Sequence, residues 1–240
     1  MQTVPNLIDD ASSPETEIER VPWDVFLRRF AWKQSEHVTM LGPNGCGKST
    51  LALRLLPLRR FVVAFGTKPK DTTLDYLIHD QRFRIVREWP PSPTEERVIL
   101  WPPIGKMTDV PDQRKAFQDA LSDIYEAGSW CVYFDEAWYL DVFLGLRKPI
   151  NLLLQQARAM NVSIVATSQR PVYISKSFYS EATHLFLWRM VDLPDRKRLL
   201  EMSGSVDKRH VIRTVGTLAR HEVLYVNTRD GSMLVTQVEL

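Results

Sequence analysis

The sequence predicts an α/β fold in which a mainly parallel β-sheet carries helices on both faces and ends in a C-terminal β-hairpin. Short, continuous apolar runs such as residues 61–65 and 162–167 have the composition of strands that are buried on both faces. Segments of helical periodicity separate these runs, and strands that alternate with helices form parallel sheets. With 240 residues, of which 44% are hydrophobic and 25% charged, the chain has the size and composition of one globular domain.

The N-terminal segment differs from the rest of the chain. The first 24 residues contain six acidic side chains and one basic side chain, and prolines interrupt the segment at positions 5, 14 and 22. Such a composition disfavours a packed core. We expect an acidic, extended arm over residues 1–22 and a single domain over residues 23–240. The domain begins with a short amphipathic helix over 23–32 and a first apolar strand at 37–41.

The middle of the domain alternates between the two element types. The predicted elements are a helix from residue 48 to about residue 57, a strand at 61–65, a helix at 73–80, strands at 84–87 and 97–101, and a helix at 111–127. Pro111 is tolerated in the first turn of this last helix, and Gly128 supplies its stop.

The C-terminal half continues the pattern and closes with a hairpin. The predicted elements are a strand at 130–134, a helix at 142–161, strands at 162–167 and 184–189, helices at 194–202 and 206–215, and strands at 222–226 and 233–238. Pro149 predicts a break within the helix at 142–161. The turn residues Arg229-Asp230-Gly231 separate the last two strands and predict that they pair as a hairpin.

The most specific motif is the run Gly42-Pro43-Asn44-Gly45-Cys46-Gly47-Lys48-Ser49, which follows the first strand and opens the next helix. Its glycines let successive backbone N–H groups point at phosphate oxygens, and the positive end of the helix dipole faces the same place. We expect these eight residues and Thr50 to bind ATP. Lys48 would reach the β- and γ-phosphates as part of the catalytic machinery, and the Ser49 hydroxyl would bind Mg²⁺.

A second motif, Cys131-Val132-Tyr133-Phe134-Asp135-Glu136, is an apolar strand that ends in two acids. Proteins that hydrolyse nucleotides on a phosphate loop hold Mg²⁺ with a carboxylate at such a strand end. Asp135 is therefore the second predicted metal ligand. Glu136 is next in sequence, and we expect it to orient or deprotonate the attacking water.

Gln169 follows the next predicted strand, in Ala166-Thr167-Ser168-Gln169-Arg170-Pro171. An amide beside the γ-phosphate can hydrogen-bond both the phosphate and the water, so that it senses whether the nucleotide is intact. A polar residue that only caps the strand fits the sequence equally well. The residues alone leave both interpretations open.

The charges, the cysteines and the lengths of the apolar runs limit the partners, bound metals and cellular locations that the sequence allows. Residues 189–220 contain eight basic and four acidic side chains, a balance compatible either with nucleic-acid contact or with solvated helix faces. Cys46 and Cys131 provide no framework for disulfides or zinc. No apolar run approaches the about 18 residues of a spanning helix, and the N-terminus lacks a signal-peptide pattern. We therefore expect a cytoplasmic protein without a transmembrane segment.

In order and spacing, the segments 42–49, 133–136 and 167–171 resemble the three nucleotide motifs of the FtsK/HerA superfamily of ring-forming, DNA-pumping ATPases. The resemblance covers about residues 35–190. It implies a RecA-like P-loop NTPase fold, Mg²⁺-dependent ATP hydrolysis, translocation of double-stranded DNA and a homo-oligomeric ring of six subunits. It also implies a catalytic arginine finger, which completes the site of the neighbouring subunit. Arg158 fits its place, and Arg170 is the competing candidate.

The superfamily includes chromosome translocases, conjugation ATPases and genome-packaging ATPases of tailless viruses with internal membranes. The larger members often carry membrane segments, long insertions or a DNA-orienting domain, none of which fits into 240 residues. The resemblance therefore favours a minimal viral genome-packaging ATPase, with a conjugation or chromosome-type translocase as the alternative. It implies a location in the host cytoplasm or the virion, and a docking partner at a capsid vertex or in the viral membrane.

Two unrelated classes share the phosphate loop. An ABC-type transporter ATPase needs a serine- and glycine-rich signature shortly before the acid pair, and residues 108–130 contain none. A small kinase needs an acceptor pocket and a lid, whereas Glu136 beside Asp135 favours water as the acceptor. The sequence therefore disfavours both classes.

The DNA contacts are less firmly predicted. Loops that leave strand ends would place Lys68, Lys70 and Lys106 at a central channel as phosphate contacts, although exposed lysines that serve solubility give the same pattern. Trp138 and Tyr139 would either stack on bases or belong to the core.

Overall fold

A nine-stranded sheet forms the centre of the computed structural model, which describes residues 17–79, 81–92 and 94–239. Its strands are β1 (Val38–Leu41), β2 (Val62–Phe65), β3 (Arg84–Val86), β4 (Arg97–Leu100), β5 (Cys131–Phe134), β6 (Ser163–Ser168), β7 (His184–Trp188), β8 (Glu222–Asn227) and β9 (Met233–Gln237). They lie in the order β3-β4-β2-β5-β6-β1-β7-β8-β9. Neighbours from β3 to β7 pair in parallel, whereas β8 pairs antiparallel with β7 and β9. The predicted mainly parallel sheet with a C-terminal hairpin is confirmed.

Helices cover both faces of this sheet. They are α1 (Trp23–Arg29), α2 (Lys48–Leu55), α3 (Thr72–His79), α4 (Val110–Ala127), α5 (Arg147–Met160), α6 (Ser177–Ser180), α7 (Leu193–Arg198) and α8 (Lys208–Thr217). Side chains of α1, α2 and α3 belong to one buried apolar cluster, and those of α4, α5 and α8 belong to a second. The sheet therefore separates two cores.

Successive side chains along a central strand alternate between the two cores. In β2, Val63 and Phe65 belong to the cluster with α4, whereas Val62 and Ala64 belong to the cluster with α2. All four are fully buried. A strand that is buried on both faces must be apolar throughout, which is why continuous apolar runs predicted these strands. On the α4 side, the rings of Phe65 and Phe117 stack with their centroids 4.6 Å apart.

His37 ties the start of β1 to two neighbouring elements. Its Nδ1 accepts a hydrogen bond from the backbone N–H of Ile164 at 3.0 Å, and its Nε2 then donates to the carbonyl oxygen of Leu154 at 3.1 Å. Burial lowers the pKa of His37 to about 4. The neutral imidazole thus fixes the strand that leads into the phosphate loop.

The helix break predicted at Pro149 is wrong. The helical segment after β5 includes a π-helical turn over Tyr139–Phe143, and the chain interrupts it at Gly145, where φ is 65°. Helix α5 then begins at Arg147. Pro149 lies in its first turn, where a backbone N–H has no partner within the helix, so the missing N–H costs no hydrogen bond.

The described part of the predicted N-terminal arm, from residue 17 to residue 22, runs along the sheet edge. The backbone N–H of Val21 donates to the carbonyl of Val235 at 2.9 Å, and the N–H of Val235 donates to the carbonyl of Glu19 at 2.9 Å. Ile18 and Val21 are buried. Residues 1–16 of the predicted arm lie outside the described residues, as does Asp80 at the end of the predicted helix 73–80.

Two smaller differences concern helices. Helix α6 was not predicted, and the helix predicted at 194–202 changes at residue 199 from α7 to a 3₁₀ turn, Leu199–Glu201. Among the helices of the described residues, none combines the length and the apolar character needed to cross a membrane.

Candidate nucleotide-binding and catalytic site

Three polar segments meet at one edge of the sheet. Strands β5, β6 and β1 are neighbours in this order and run parallel. The phosphate loop leaves the carboxyl end of β1, Asp135 and Glu136 leave β5, and Gln169 leaves β6. Ligand sites of open α/β sheets lie at the carboxyl ends of the strands. The topology therefore places the predicted nucleotide residues side by side.

The glycines of the loop satisfy its backbone geometry. Gly45 and Gly47 have φ values of 69° and 111°, conformations that other residues rarely adopt. Gly47 is also the N-cap of α2, which starts at Lys48. A Cβ atom at Gly42 would lie 2.6 Å from the Cβ of Trp188. The loop therefore turns tightly and directs the first amides of α2 toward the strand ends.

Lys48 crosses the inside of this loop. Its Nζ donates to the carbonyl oxygens of Gly42 at 2.7 Å and Pro43 at 2.8 Å. Burial lowers the pKa of Lys48, while the nearby acid pair of Asp135 and Glu136 opposes the shift. The ammonium group is thus close to both the loop and the carboxylates.

Asp135 accepts hydrogen bonds from four residues of the site. Its Oδ1 accepts hydrogen bonds from the hydroxyl of Tyr133 at 2.6 Å and from the hydroxyl of Ser49 at 3.3 Å. Its Oδ2 accepts from Nζ of Lys68 at 2.9 Å. Its backbone carbonyl accepts from the hydroxyl of Thr167. These contacts fix Asp135 at the end of β5, where the whole residue is 8% exposed.

The two predicted metal ligands, Ser49 and Asp135, converge. Their side-chain oxygens lie 3.3 Å apart, and a hydroxyl with a carboxylate is a donor set that suits Mg²⁺, which binds proteins through few oxygen ligands and takes others from phosphate and water. The residues present therefore fit this ion.

Glu136 lies beside Gln169, the residue predicted to sense the γ-phosphate. Its Oε2 accepts from Nε2 of Gln169 at 3.3 Å, and its Oε1 accepts from the hydroxyl of Ser168 at 3.4 Å. Burial raises the pKa of Glu136, although the amide of Gln169 and the ammonium of Lys48 act in the opposite direction. A carboxylate with a raised pKa is a stronger base once it is ionised.

These side chains surround one cleft of about 440 Å³, a volume typical of small-molecule sites. It is lined by Asn44, Gly45, Gly47, Lys48, Ser49, Thr50, Lys68, Thr73, Asp135, Glu136, Thr167 and Gln169. The cleft thus brings together every predicted nucleotide contact from the loop except Gly42, Pro43 and Cys46, which do not line it.

Arg158 lies far from this cleft. It is exposed in the last turn of α5, just before β6 begins, whereas Gln169 follows the other end of β6. The six residues of β6 span about 20 Å. Within one subunit the structure does not bring Arg158 to the phosphate loop, and its role as a finger for a neighbouring subunit stays a prediction.

Arg170, the competing candidate, is held by its own subunit. Its Nη2 donates to Asp192 at 2.7 Å and its Nε donates to Asp195 at 2.8 Å. The guanidinium also lies over the ring of Tyr173, 5.1 Å from the centroid. An arginine engaged by two carboxylates has less capacity to bind a phosphate, and this pairing favours Arg158.

The sequence interpretation missed two contacts of the Asp135 carboxylate. Tyr133 precedes it by two residues on the same strand, and the period of two places both side chains on one side; this signal was present in the sequence. Lys68 was predicted as a DNA contact but pairs with Asp135 and Asp71. Lys70 and Lys106 are exposed as expected.

The fold and the site together define the class: the chain has the fold of the P-loop NTPases. No protein-family model matches the sequence, and no curated protein sequence matches it. The genome packaging NTPase B204 from Sulfolobus turreted icosahedral virus 2, in complex with sulfate, matches with a TM-score of 0.65 and 13% identity, over 87% of this chain and 99% of B204. Its complex with AMPPCP matches with a TM-score of 0.61 and 11% identity, over 87% of this chain and 100% of that one.

Two larger proteins share the fold. ATPases 2 and 3 of EssC from Geobacillus thermodenitrificans match with a TM-score of 0.56 and 12% identity, over 88% of this chain and 40% of that one. The pCW3 conjugation coupling protein TcpA, with ATPγS, matches with a TM-score of 0.50 and 13% identity, over 85% of this chain and 60% of that one. The predicted structural resemblance is confirmed, and at these identities it is a likeness of fold.

Proposed function

We propose that this protein is an ATP-hydrolysing motor that translocates double-stranded DNA and packages a viral genome into a capsid. The observation that carries the proposal is the meeting of the phosphate loop, Asp135 and Glu136 at one edge of the sheet. The likeness to B204, a genome packaging NTPase whose length this chain matches almost completely, supports the choice of substrate.

The phosphates of ATP contact the backbone amides of the phosphate loop and the ammonium group of Lys48. Ser49 and Asp135 hold Mg²⁺, which supplies positive charge to the phosphate oxygens when it is bound. The phosphate loop orients the nucleotide at the N-terminus of α2, the positive end of the helix dipole.

Glu136 is the proposed general base for the attacking water, and Gln169 holds it in place. The hydrogen bond between the two side chains at 3.3 Å orients the carboxylate toward the cleft. A positioned base contributes about 10² to 10⁴ in rate. Glu136→Gln should therefore bind ATP and lose turnover by at least about a hundredfold, whereas Lys48→Ala should lose binding.

The active assembly is a homo-oligomeric ring of six subunits, in which Arg158 reaches the nucleotide of the next subunit. Arg158 is exposed and has no ion pair or hydrogen bond through its guanidinium among the described residues. An arginine finger of this kind accelerates phosphoryl transfer by about 10³ to 10⁵.

DNA binds, in this proposal, at the edge of the sheet that holds the nucleotide. The basic segment 189–220 leaves the carboxyl end of β7, forms α7 and α8, and returns to β8 at the same edge. Its exposed cations are Arg189, Lys197, Arg209 and Arg220. Phosphate contacts from such residues are independent of DNA sequence.

Steady-state ATP turnover with and without long duplex DNA, combined with native mass measurements in the presence of nucleotide, tests the proposal. We expect turnover that rises with DNA and a mass of several subunits. Glu136→Gln is the matched control, because it keeps the shape of the side chain and removes the base. A monomer whose turnover is indifferent to DNA would refute the motor.

A further inference from the structure

We infer that Lys68 competes with Mg²⁺ for Asp135, so that binding of the metal–nucleotide complex releases Lys68 and the loop that carries it. This loop comprises residues 66–71, between β2 and α3. The inference rests on the proposed function, because it concerns the same nucleotide site, and it assigns that site a means of signalling to a neighbouring loop.

The geometry places the ammonium group on the carboxylate. Nζ of Lys68 lies 2.9 Å from Oδ2 of Asp135 and 3.3 Å from Oδ2 of Asp71. The side chains of both acids are almost fully buried, at 6% and 4% exposure, whereas the side chain of Lys68 is 50% exposed. Lys68 thus neutralises two buried carboxylates from the solvent side and has an open path away from them.

The same carboxylate is the proposed metal ligand. Its other oxygen, Oδ1, accepts hydrogen bonds from the hydroxyls of Tyr133 and Ser49. The ammonium of Lys68 and the hydroxyl of Ser49, the other proposed metal ligand, therefore contact different oxygens of the same carboxylate. An ammonium and a divalent cation on one carboxylate repel each other strongly at such short range. Tight binding of one cation therefore weakens binding of the other.

The loop is fixed at both ends and tied to the site through Lys68. At its start, the amide of Gln113 donates to the carbonyl of Gly66 at 3.4 Å. At its end, Oδ1 of Asp71 accepts from the backbone N–H of Thr73 at 3.0 Å and caps α3. Between these points, the indole N–H of Trp101 donates to the carbonyl of Lys68 at 2.8 Å.

Release of the ammonium removes the contact of this loop with Asp135 and leaves the hydrogen bond from Trp101 to hold the middle of the loop. The loop also carries Lys70, which is exposed. With the metal–nucleotide complex bound, the loop therefore presents two cations instead of one to an approaching phosphate backbone. This arrangement couples the state of the nucleotide to a candidate DNA contact.

Binding of a fluorescent ATPγS analogue at a series of free Mg²⁺ concentrations tests the competition. Lys68→Met removes the ammonium and keeps most of the apolar stem. We expect the Mg²⁺ concentration at half-saturation to fall about threefold, from the usual strength of a partly exposed ion pair. Lys70→Met is the matched control for the loss of a neighbouring positive charge, and in this DNA-free assay its Mg²⁺ concentration at half-saturation should equal that of the wild type. An unchanged half-saturation would overturn the inference, as would weaker nucleotide binding in Lys68→Met, which would make Lys68 a phosphate ligand.

Hydrogen exchange of the backbone amides of residues 66–71 tests the release. In the wild type, exchange should be faster with ATPγS and Mg²⁺ than with ATPγS and a chelator, and in Lys68→Met the two conditions should agree. Slower exchange with Mg²⁺ in the wild type would overturn the release. If the wild type binds nucleotide and Lys68→Met has the same Mg²⁺ dependence and the same hydrogen exchange as the wild type, this inference alone is refuted. If the wild type binds no nucleotide, the proposed function is refuted as well.

Discussion

Replacing His37 with glutamine should remove a defined part of the acid sensitivity of the fold. The imidazole is 4% exposed, accepts from the N–H of Ile164 and donates to the carbonyl of Leu154. Only the neutral ring can make both hydrogen bonds. Burial lowers the pKa of His37 to about 4, against about 6.5 in an unfolded chain.

The sign and size of the effect follow from these two pKa values. Below pH 6.5 the unfolded chain binds a proton at this position and the folded protein does not, so acid favours unfolding. The contribution of His37 is complete above pH 6.5 and is lost progressively as the pH falls from there to the folded pKa of about 4. Between pH 8 and pH 5 the free energy of unfolding should drop by about 2 kcal/mol from this residue.

Urea unfolding of the wild type and His37→Gln at pH 8, 7, 6 and 5 measures this contribution. The other titrating groups are common to both proteins, so they cancel in the difference between the two free energies of unfolding. That difference should shift by about 2 kcal/mol in favour of the variant from pH 8 to pH 5. If the free energies of unfolding of the two proteins change in parallel with pH, the conclusion that His37 stays neutral in the folded protein is refuted.

Three further outcomes are expected. Tyr133→Phe removes a 2.6 Å hydrogen bond to the metal-side carboxylate, which should raise the Mg²⁺ concentration at half-maximal turnover by about tenfold in a metal titration. Gly66→Ala places a Cβ 2.5 Å from the ring of Trp101, which its hydrogen bond to the carbonyl of Lys68 holds in place, and should reduce the free energy of unfolding by about 1–3 kcal/mol in thermal melts. Mixtures of Arg158→Ala and Glu136→Gln subunits should recover part of the ATP turnover that each lacks alone, and no recovery at any ratio would exclude a finger acting between subunits.

Continuous apolar runs and glycine-rich turns made most of the fold predictable. Strands such as β2 are buried on both faces, so their composition identifies them without knowledge of their neighbours. The phosphate loop and the acid pair were predictable as one site, because parallel strands deliver their carboxyl ends to the same edge. The hairpin of β8 and β9 followed from the turn that contains Gly231, where φ is 77°.

Features that depend on exact position were not predictable. Pro149 breaks a helix in its interior but is accepted in a first turn, and the sequence did not show where α5 begins. Lys68 carries the same local signal as any exposed lysine, and its contact with Asp135, 67 positions away in sequence, depends on how the loop after β2 packs against Trp101. Long-range pairs of this kind require the tertiary structure.

Displacement of a third strand from duplex DNA measures translocation by this protein, because a motor that moves along the duplex strips a bound third strand from it. The wild type should displace the third strand with ATP and Mg²⁺. Glu136→Gln should not displace it, nor should the wild type with a non-hydrolysable ATP analogue. Hydrolysis of ATP without displacement of the third strand would show that the protein does not move along DNA.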